Sequence, residues 1–287
     1  MRRHFIGLFV IFLGGLASAQ GLVNPFDLEP SAEAAGYAGA LCALASGADA
    51  LIFNPAGLSF GDGIEVSSAY VAHMGGLASV VWLGGTYGPF AAAFTNLSAG
   101  GIEETPGGSD LPFSQIGAAV GVGLSGRMFG LLLPMDLRFG AAVRYDRAQL
   151  ADRSGSGLSL SLGLMGTMPL GAAELRFGLA MEDLGFGISS GANGREGWTT
   201  GMRAGVAFVT PLLRAEVDYA NGLRLGAGFM VSPMLEVRGG LSMTGAGMQF
   251  AMGVGIELQS LSLDYALVTH PVFPPTHRLG LLSLIHI

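Results

Sequence analysis

The fold is decided by residues 36–58, which read GYAGALCALASGADALIFNPAGL. This is the only long segment that lacks both charge pairs and a period-2 alternation, and its small residues fit a compact element packed inside something larger. Ser46 followed by Asp49 resembles a capping box, and Asn54 places a preferred N-cap residue before Pro55. Because proline disfavours the helical conformation at the preceding residue, the chain should bend at Asn54. The stretch predicts two short helical turns in a small plug that leads into a β-barrel.

From Gly63 onward the chain alternates between apolar and polar residues in runs that turn residues interrupt, the pattern of a transmembrane barrel. In residues 137–146, Leu137, Val143 and Tyr145 share one face of a strand, and charged residues share the other. Five further runs likewise keep their charges on one face and their large apolar residues on the other. A one-residue slip in any of them would put charge on the apolar face. The charges predicted to face the lumen are Arg138, Arg144, Asp146, Glu174, Arg176, Arg214, Glu216, Asp218, Arg224, Glu236, Arg238 and Asp264.

The N-terminus carries a secretion signal. Residues 2–4 are basic, residues 5–13 are apolar, and Ala17-Ser18-Ala19 forms a small-residue cleavage site before Gln20. The apolar run is much shorter than the roughly 20 residues that a helix needs to span a bilayer. The predicted divisions are therefore a signal peptide over residues 1–19, a plug segment over 20–62 and a barrel over 63–287.

Alternation alone does not say which face is inside, because a soluble sandwich alternates equally well. The signal peptide favours a membrane barrel, and so does a polar face padded with glycine, alanine and serine, which suits a filled lumen. Charges on successive strands could then pair as Arg–carboxylate ladders. We count about fourteen strands, an even number as in bacterial barrels. Only Ser98–Phe113, Arg147–Gly155 and Gly185–Trp198 are long enough to predict outward loops of any size.

Composition excludes several classes of protein. Charged residues make up 12% of the 287 residues, and all fourteen basic residues are arginine. A net charge of −7 without a basic stripe argues against nucleic-acid binding. Gly121–Gly126 matches a dinucleotide-binding pattern but lies in a glycine-rich strand, and the five histidines fall at no metal-ligand spacing. The sequence therefore predicts no enzyme, no cofactor and no metal, and Cys42 is expected to be a small buried residue.

Residues 36–58, with their glycine-rich lead and the motif Asn54-Pro55-Ala56-Gly57, resemble the N-terminal plug of the FadL/PorV-type outer-membrane barrels. This group includes long-chain fatty-acid transporters and the PorV and PorQ proteins of type IX secretion. Residues 261–266, a turn at 271–275 and residues 276–280 resemble the final hairpin of the same group. The chain departs from the group in its shorter outer loops and in its terminal isoleucine.

The resemblance implies an all-β transmembrane barrel in the outer membrane of a diderm bacterium, with both termini in the periplasm. It also implies passive passage of hydrophobic small molecules past the plug. The alternative is a PorV-like scaffold or secretion shuttle, which binds secreted or periplasmic proteins and transports nothing. Outer-membrane lipid is an expected partner in either case.

Overall fold

The protein forms one antiparallel sheet that closes on itself. The computed structural model describes residues 28, 30–100, 112–131, 133–150, 153–190, 194–196, 200–245 and 247–285, so the predicted signal peptide lies outside the described residues. The strands are β1 Ile64–His73, β2 Ala78–Tyr87, β3 Phe90–Ala99, β4 Phe113–Ser125, β5 Asp136–Leu150, β6 Arg153–Leu170, β7 Ala173–Ser190, β8 Gly194–Glu196, β9 Gly201–Val209, β10 Leu213–Tyr219, β11 Gly222–Ser232, β12 Leu235–Thr244, β13 Gly247–Leu258, β14 Leu261–Val268 and β15 Thr276–Ile285.

The barrel wall has fourteen strands, which confirms the predicted number. Each strand pairs with its neighbours in the chain, except at β8. One edge of β7 pairs with β6, and the other pairs with β9 over residues 174–182 and with β8 over residues 188–190. The wall closes between β1 and β15, with Ile64 opposite Ile285. A closed wall leaves no free strand edge, which is the condition for a sheet to cross a membrane.

The two ends of the barrel differ. At one end, named here the N/C end, β1 begins and β15 finishes. The opposite end, named the loop end, carries the connection 100–112 between β3 and β4. Two of the predicted outward loops are wrong, because β5 extends to Leu150, β6 begins at Arg153 and β7 continues to Ser190. Apart from Leu150, Phe186 and Ile188, residues 147–155 and 185–190 are small or polar, so the apolar–polar contrast that indicates a strand is weak there.

Residues 30–62, named here the inner segment, contain the short helical elements. These are α1 Ala32–Gly36, a 3₁₀ turn Gly47–Asp49, α2 Ala50–Phe53 and a 3₁₀ helix Pro55–Phe60. Asn54 is extended (φ −166°, ψ 106°), which confirms the predicted bend, and its Oδ1 accepts a hydrogen bond of 3.1 Å from the Ala56 N–H. None of the helices in the described residues is long and apolar enough to cross a membrane.

The capping box predicted at Ser46 is wrong. The Ser46 side chain makes no cap hydrogen bond to the three-residue 3₁₀ turn that follows it. The serine that does cap a helix is Ser31, whose hydroxyl accepts a 3.2 Å hydrogen bond from the Ala34 N–H at the start of α1.

The inner segment lies within the barrel and is packed against its wall. Its apolar side chains are buried, with Tyr37, Leu51 and Phe53 at 0% exposure. Wall glycines permit the close approach. A Cβ atom at Gly178 would lie 2.3 Å from the carbonyl oxygen of Cys42, a distance that no real contact allows. The glycines on the inner face of the wall therefore allow the backbone of the inner segment to approach closely.

Candidate functional site

The barrel wall has its polar side chains on the inner face and its apolar side chains on the outer face, the reverse of a sheet in a soluble protein. On β10 the exposed fraction is 2% for Glu216 and 0% for Asp218, but 51% for Val217 and 52% for Tyr219. Successive side chains of a strand point to opposite faces, so these carboxylates line the lumen and the apolar residues cover the outside. An apolar outer face suits contact with lipid.

Two lumenal carboxylates hold a turn of the inner segment. Glu216 accepts hydrogen bonds from the Ala43 N–H (2.7 Å) and the Leu44 N–H (3.0 Å). Asp218 accepts from the N–H groups of Leu41 and Cys42, each at 3.3 Å. The turn from residue 41 to residue 44 has no sheet or long helix to satisfy its donors, and a buried unpaired N–H is costly. The wall carboxylates provide the acceptors that the turn lacks.

Guanidinium groups do the same for the carbonyl groups of the inner segment. Arg144 donates to Leu51 O at 2.7 Å and to Ile52 O at 3.0 Å, so it binds the last turn of α2. Hydrogen bonds to charged groups are stronger than those between neutral groups. Further arginine–carbonyl contacts of the inner segment are Arg138 to Ser59 (2.8 Å), Arg203 to Gly39 (3.0 Å) and Arg224 to Ala38 (3.0 Å), and Arg278 donates to Leu28 just before the segment (3.0 Å).

Ion pairs connect the same side chains along the wall. Arg203 lies 3.0 Å from Glu182 and 3.2 Å from Asp218, and it also contacts the ring face of Phe53. Further pairs include Arg144 with Asp183, Arg214 with Glu236, Arg238 with Glu236 and Asp264, Arg138 with Asp136, and Arg176 with Glu174. Some of these pairs join different strands, such as Arg238 on β12 with Asp264 on β14, and others join residues of one strand, such as Arg138 with Asp136 on β5.

The predicted lumenal residues do not all belong to one network. Arg138 and Arg176 lie over the ring of Phe60, and the Glu174 side chain is 43% exposed. Asp146 is 1% exposed, yet neither of its carboxylate oxygens has a hydrogen-bond partner in the described part of the chain. Gln115 on the neighbouring strand β4 is likewise buried without a partner for its amide.

The four motif residues of the inner segment pack at its bend. The Asn54 Nδ2 donates to Cys42 O (2.9 Å) and to Leu164 O on β6 (3.2 Å), so this one side chain links two parts of the segment to the wall. Pro55 begins the 3₁₀ helix, Ala56 is fully buried, and a Cβ at Gly57 would lie 2.1 Å from Ala45 O. Burial raises the pKa of the Cys42 thiol well above its usual value, so the thiol stays protonated.

Sequence reasoning missed several members of the network. Arg203 is the only charged residue of β9, so its run offered no pair of charges, although its parity matches that of the lumenal face. Glu33 and Tyr37 belong to the inner segment, and their partners are distant in sequence: Glu33 lies 3.3 Å from Arg214, and the Tyr37 hydroxyl donates to Glu236 at 2.7 Å. No local pattern predicts such contacts.

Small polar cavities lie between the inner segment and the wall toward the N/C end. One, of about 200 Å³, is lined by Glu33, Arg214 and Arg238, and a second, of about 60 Å³, is lined by Asp49 and Glu65. Both include Ser46 and Asp264. No group of three metal-ligating side chains occurs among the residues that the structure describes.

Comparison with known proteins identifies the fold. No protein-family model and no curated protein matches the chain. Among solved structures, the toluene transporter TbuX of Ralstonia pickettii matches with a TM-score of 0.53 at 11% identity over 88% of this chain and 98% of that chain. The toluene transporter TodX of Pseudomonas putida matches with a TM-score of 0.50 at 11% identity over 87% and 95% of the two chains. The resemblance to FadL-type barrels is thus confirmed at the level of the fold.

Proposed function

We propose that the chain is an outer-membrane channel of the FadL type, through which hydrophobic small molecules pass, and that the inner segment closes its lumen. The observation that carries the proposal is a fourteen-stranded wall with an apolar outer face and a lumen filled by an anchored segment. The fold is shared with two transporters of toluene, a small hydrophobic molecule.

Opening of the lumen requires a shift of the inner segment, and its contacts allow one. The wall is held by continuous β-ladders, whereas many contacts of the segment are hydrogen bonds to wall side chains such as Glu216 and Arg144. Exchange of such a bond to a charged group for one with water has a net free-energy cost of about 1.5–3 kcal/mol. The segment can therefore move while the wall stays intact.

The half of the segment that contains α1 is the part we expect to move. It borders the polar cavities at Glu33 and Ser46, which leave space beside it. The start of the Pro55–Phe60 helix is packed tightly against the wall: Cβ atoms at Gly140 and Gly163 would lie 2.1 Å from Pro55 C and Asn54 Oδ1, respectively. Passage of a hydrophobic molecule thus depends on displacement of α1 from β13, β14 and β15.

A reversible lock tests this. A Cβ at Gly280 on β15 would lie 3.3 Å from the Ala32 Cβ in α1, close to the roughly 3.5–4.5 Å between the Cβ atoms of a disulfide. We would combine Ala32→Cys and Gly280→Cys with Cys42→Ala, and measure uptake of labelled toluene by a Gram-negative host without a channel of this type. The oxidised double variant should take up toluene several-fold more slowly than wild type, and a reducing agent should restore the rate.

The matched controls are the two single cysteine variants, whose uptake should not respond to oxidation. Uptake that is equal with the lock closed and open would contradict the proposed motion of α1. Uptake that is equal in cells with and without the wild-type protein would contradict the channel itself and favour the scaffold role.

A further inference from the structure

An apolar groove of about 570 Å³ lies on the outer face of the barrel, where β1 and β2 meet β13, β14 and β15. Pockets of roughly 300–1,000 Å³ are of the size that holds one small ligand. The groove is separate from the lumen, because the side chains that form it point outward. They are Tyr70, Val81, Leu83, Leu263, Leu279 and Leu281.

The depth of the groove has a local cause. Ser68 is a small residue on the outer face of β1, and its register partners are Leu83 on β2 and Leu281 on β15. Tyr70 follows it on the same face. A serine between large neighbours leaves a depression in a surface that is otherwise covered by long side chains, so the floor of the groove lies near the backbone of Ser68 and Gly280.

A polar pair lies at the loop-end side of this groove. The Tyr265 hydroxyl is 2.7 Å from His277 Nδ1, and both side chains are on the exposed outer face. Tyrosine alone is common where a barrel meets the membrane interface. An imidazole that faces lipid is costly unless it has a polar partner. When the tyrosine donates to Nδ1, the proton of His277 is on Nε2, which is then a free donor directed away from Tyr265.

We propose that the groove binds one acyl chain of a membrane phospholipid, with an ester or phosphate oxygen of that lipid accepting a hydrogen bond from His277. The apolar floor and rim provide contact for the chain, and the Tyr265–His277 pair provides the polar end that an amphipathic ligand requires. The inference rests on the membrane location in the proposed function, but it is independent of whether the lumen conducts.

The shape of the site favours a lipid over a second copy of this chain. A stable protein interface buries about 1,200–2,000 Å² in total, which requires a broad contact surface. The groove is instead a local depression around Ser68, continuous with an apolar surface that lipid already covers. A flexible acyl chain can also adapt to the groove, whereas a second copy of the protein would need a surface that matches the groove in shape.

The test measures lipid that stays bound. The protein would be reconstituted in vesicles of phosphatidylethanolamine and phosphatidylglycerol, extracted in mild detergent and analysed by native mass spectrometry. Wild type should retain one phospholipid per chain. Ser68→Leu fills the floor and should abolish retention, and His277→Phe removes the donor and should lower affinity about two- to tenfold.

The control is Ala118→Leu, which adds the same bulk at an outward position of β4 outside the groove. This variant should retain lipid as wild type does, and heat-modified gel mobility checks that each variant is folded. Equal retention in wild type and Ser68→Leu would overturn the proposal, as would a wild type that retains no lipid. A dimer that dissociates on Ser68→Leu substitution would assign the groove to a second copy of the chain.

Discussion

Arg203 shows how single residues hold the inner segment, because it serves three partners at once. Its guanidinium contacts Glu182, Asp218 and the carbonyl oxygen of Gly39. Removal of one partner from a buried charge network leaves the others unpaired. An intact buried network adds little net stability, but a charge left without its partner is strongly destabilising. Truncation of one member therefore gives a large and measurable effect.

We predict that Arg203→Leu lowers the free energy of unfolding by about 3–5 kcal/mol. The control is Arg127→Leu. The Arg127 side chain is 74% exposed and pairs with Asp136 at 3.3 Å, and exposed pairs contribute about 0–1 kcal/mol. Urea unfolding of both variants in lipid vesicles measures the difference. Equal losses would show that the Arg203 network does not stabilise the fold.

At the scale of elements, the inner segment can pack closely against β7 because Gly178 of that strand has no side chain. Gly178 allows Cys42 O to contact the wall, and Cys42 is itself fully buried. The thiol is therefore a reporter of whether the segment is docked: a protonated, buried thiol reacts slowly, and a released one reacts at the rate of a free cysteine.

We predict that Gly178→Ala displaces the turn around Cys42 and accelerates its labelling by a maleimide at least severalfold. Overpacking of this kind typically costs about 1–3 kcal/mol, enough to shift the docking equilibrium without opening the wall. Gly239→Ala on β12 is the control, because a Cβ there meets no atom within 4 Å. A labelling rate that is the same in both variants would contradict the close approach at Gly178.

Elements whose two faces differ in polarity could be predicted, and elements whose faces are alike could not. The runs around Arg144 and Glu216 gave strands because charge alternates there with large apolar residues. Residues 147–155 and 194–196 are mostly small or polar in sequence, so the sequence predicts loops there. The bend at Asn54 was predictable because proline restricts its predecessor locally.

For the whole molecule, the sequence predicted the number of strands but not the partners of the charges. Parity depends on adjacent residues, whereas the contact between Tyr37 and Glu236 joins residues that are 199 positions apart. The sequence could therefore assign the carboxylates to a face of the sheet. It could not predict that Glu216 accepts hydrogen bonds from the backbone of residues 43 and 44, because only the closed barrel brings these residues together.

The orientation of the barrel gives a further prediction. Ile64 and Ile285 lie at the same end, and an even-stranded barrel with a periplasmic N-terminus should have a periplasmic C-terminus as well. A protease or antibody applied to intact cells should reach epitope tags inserted within residues 107–110 or 191–194, and not a tag at the C-terminus. Residues 107–110 lie outside the described residues, as do residues 191–193. A surface-exposed C-terminal tag would reverse the assignment of the two ends.

The seam between β1 and β15 joins the first strand of the wall to the last, so the barrel cannot close until the whole chain has been delivered. The inner segment leads into β1 through Gly63, and we expect it to be in place before that moment. A wall that closed first would enclose Glu216 and Asp218 without the N–H groups they bind. Contacts over such sequence distances form slowly. We therefore expect the segment to serve as a template during assembly, around which the later strands form.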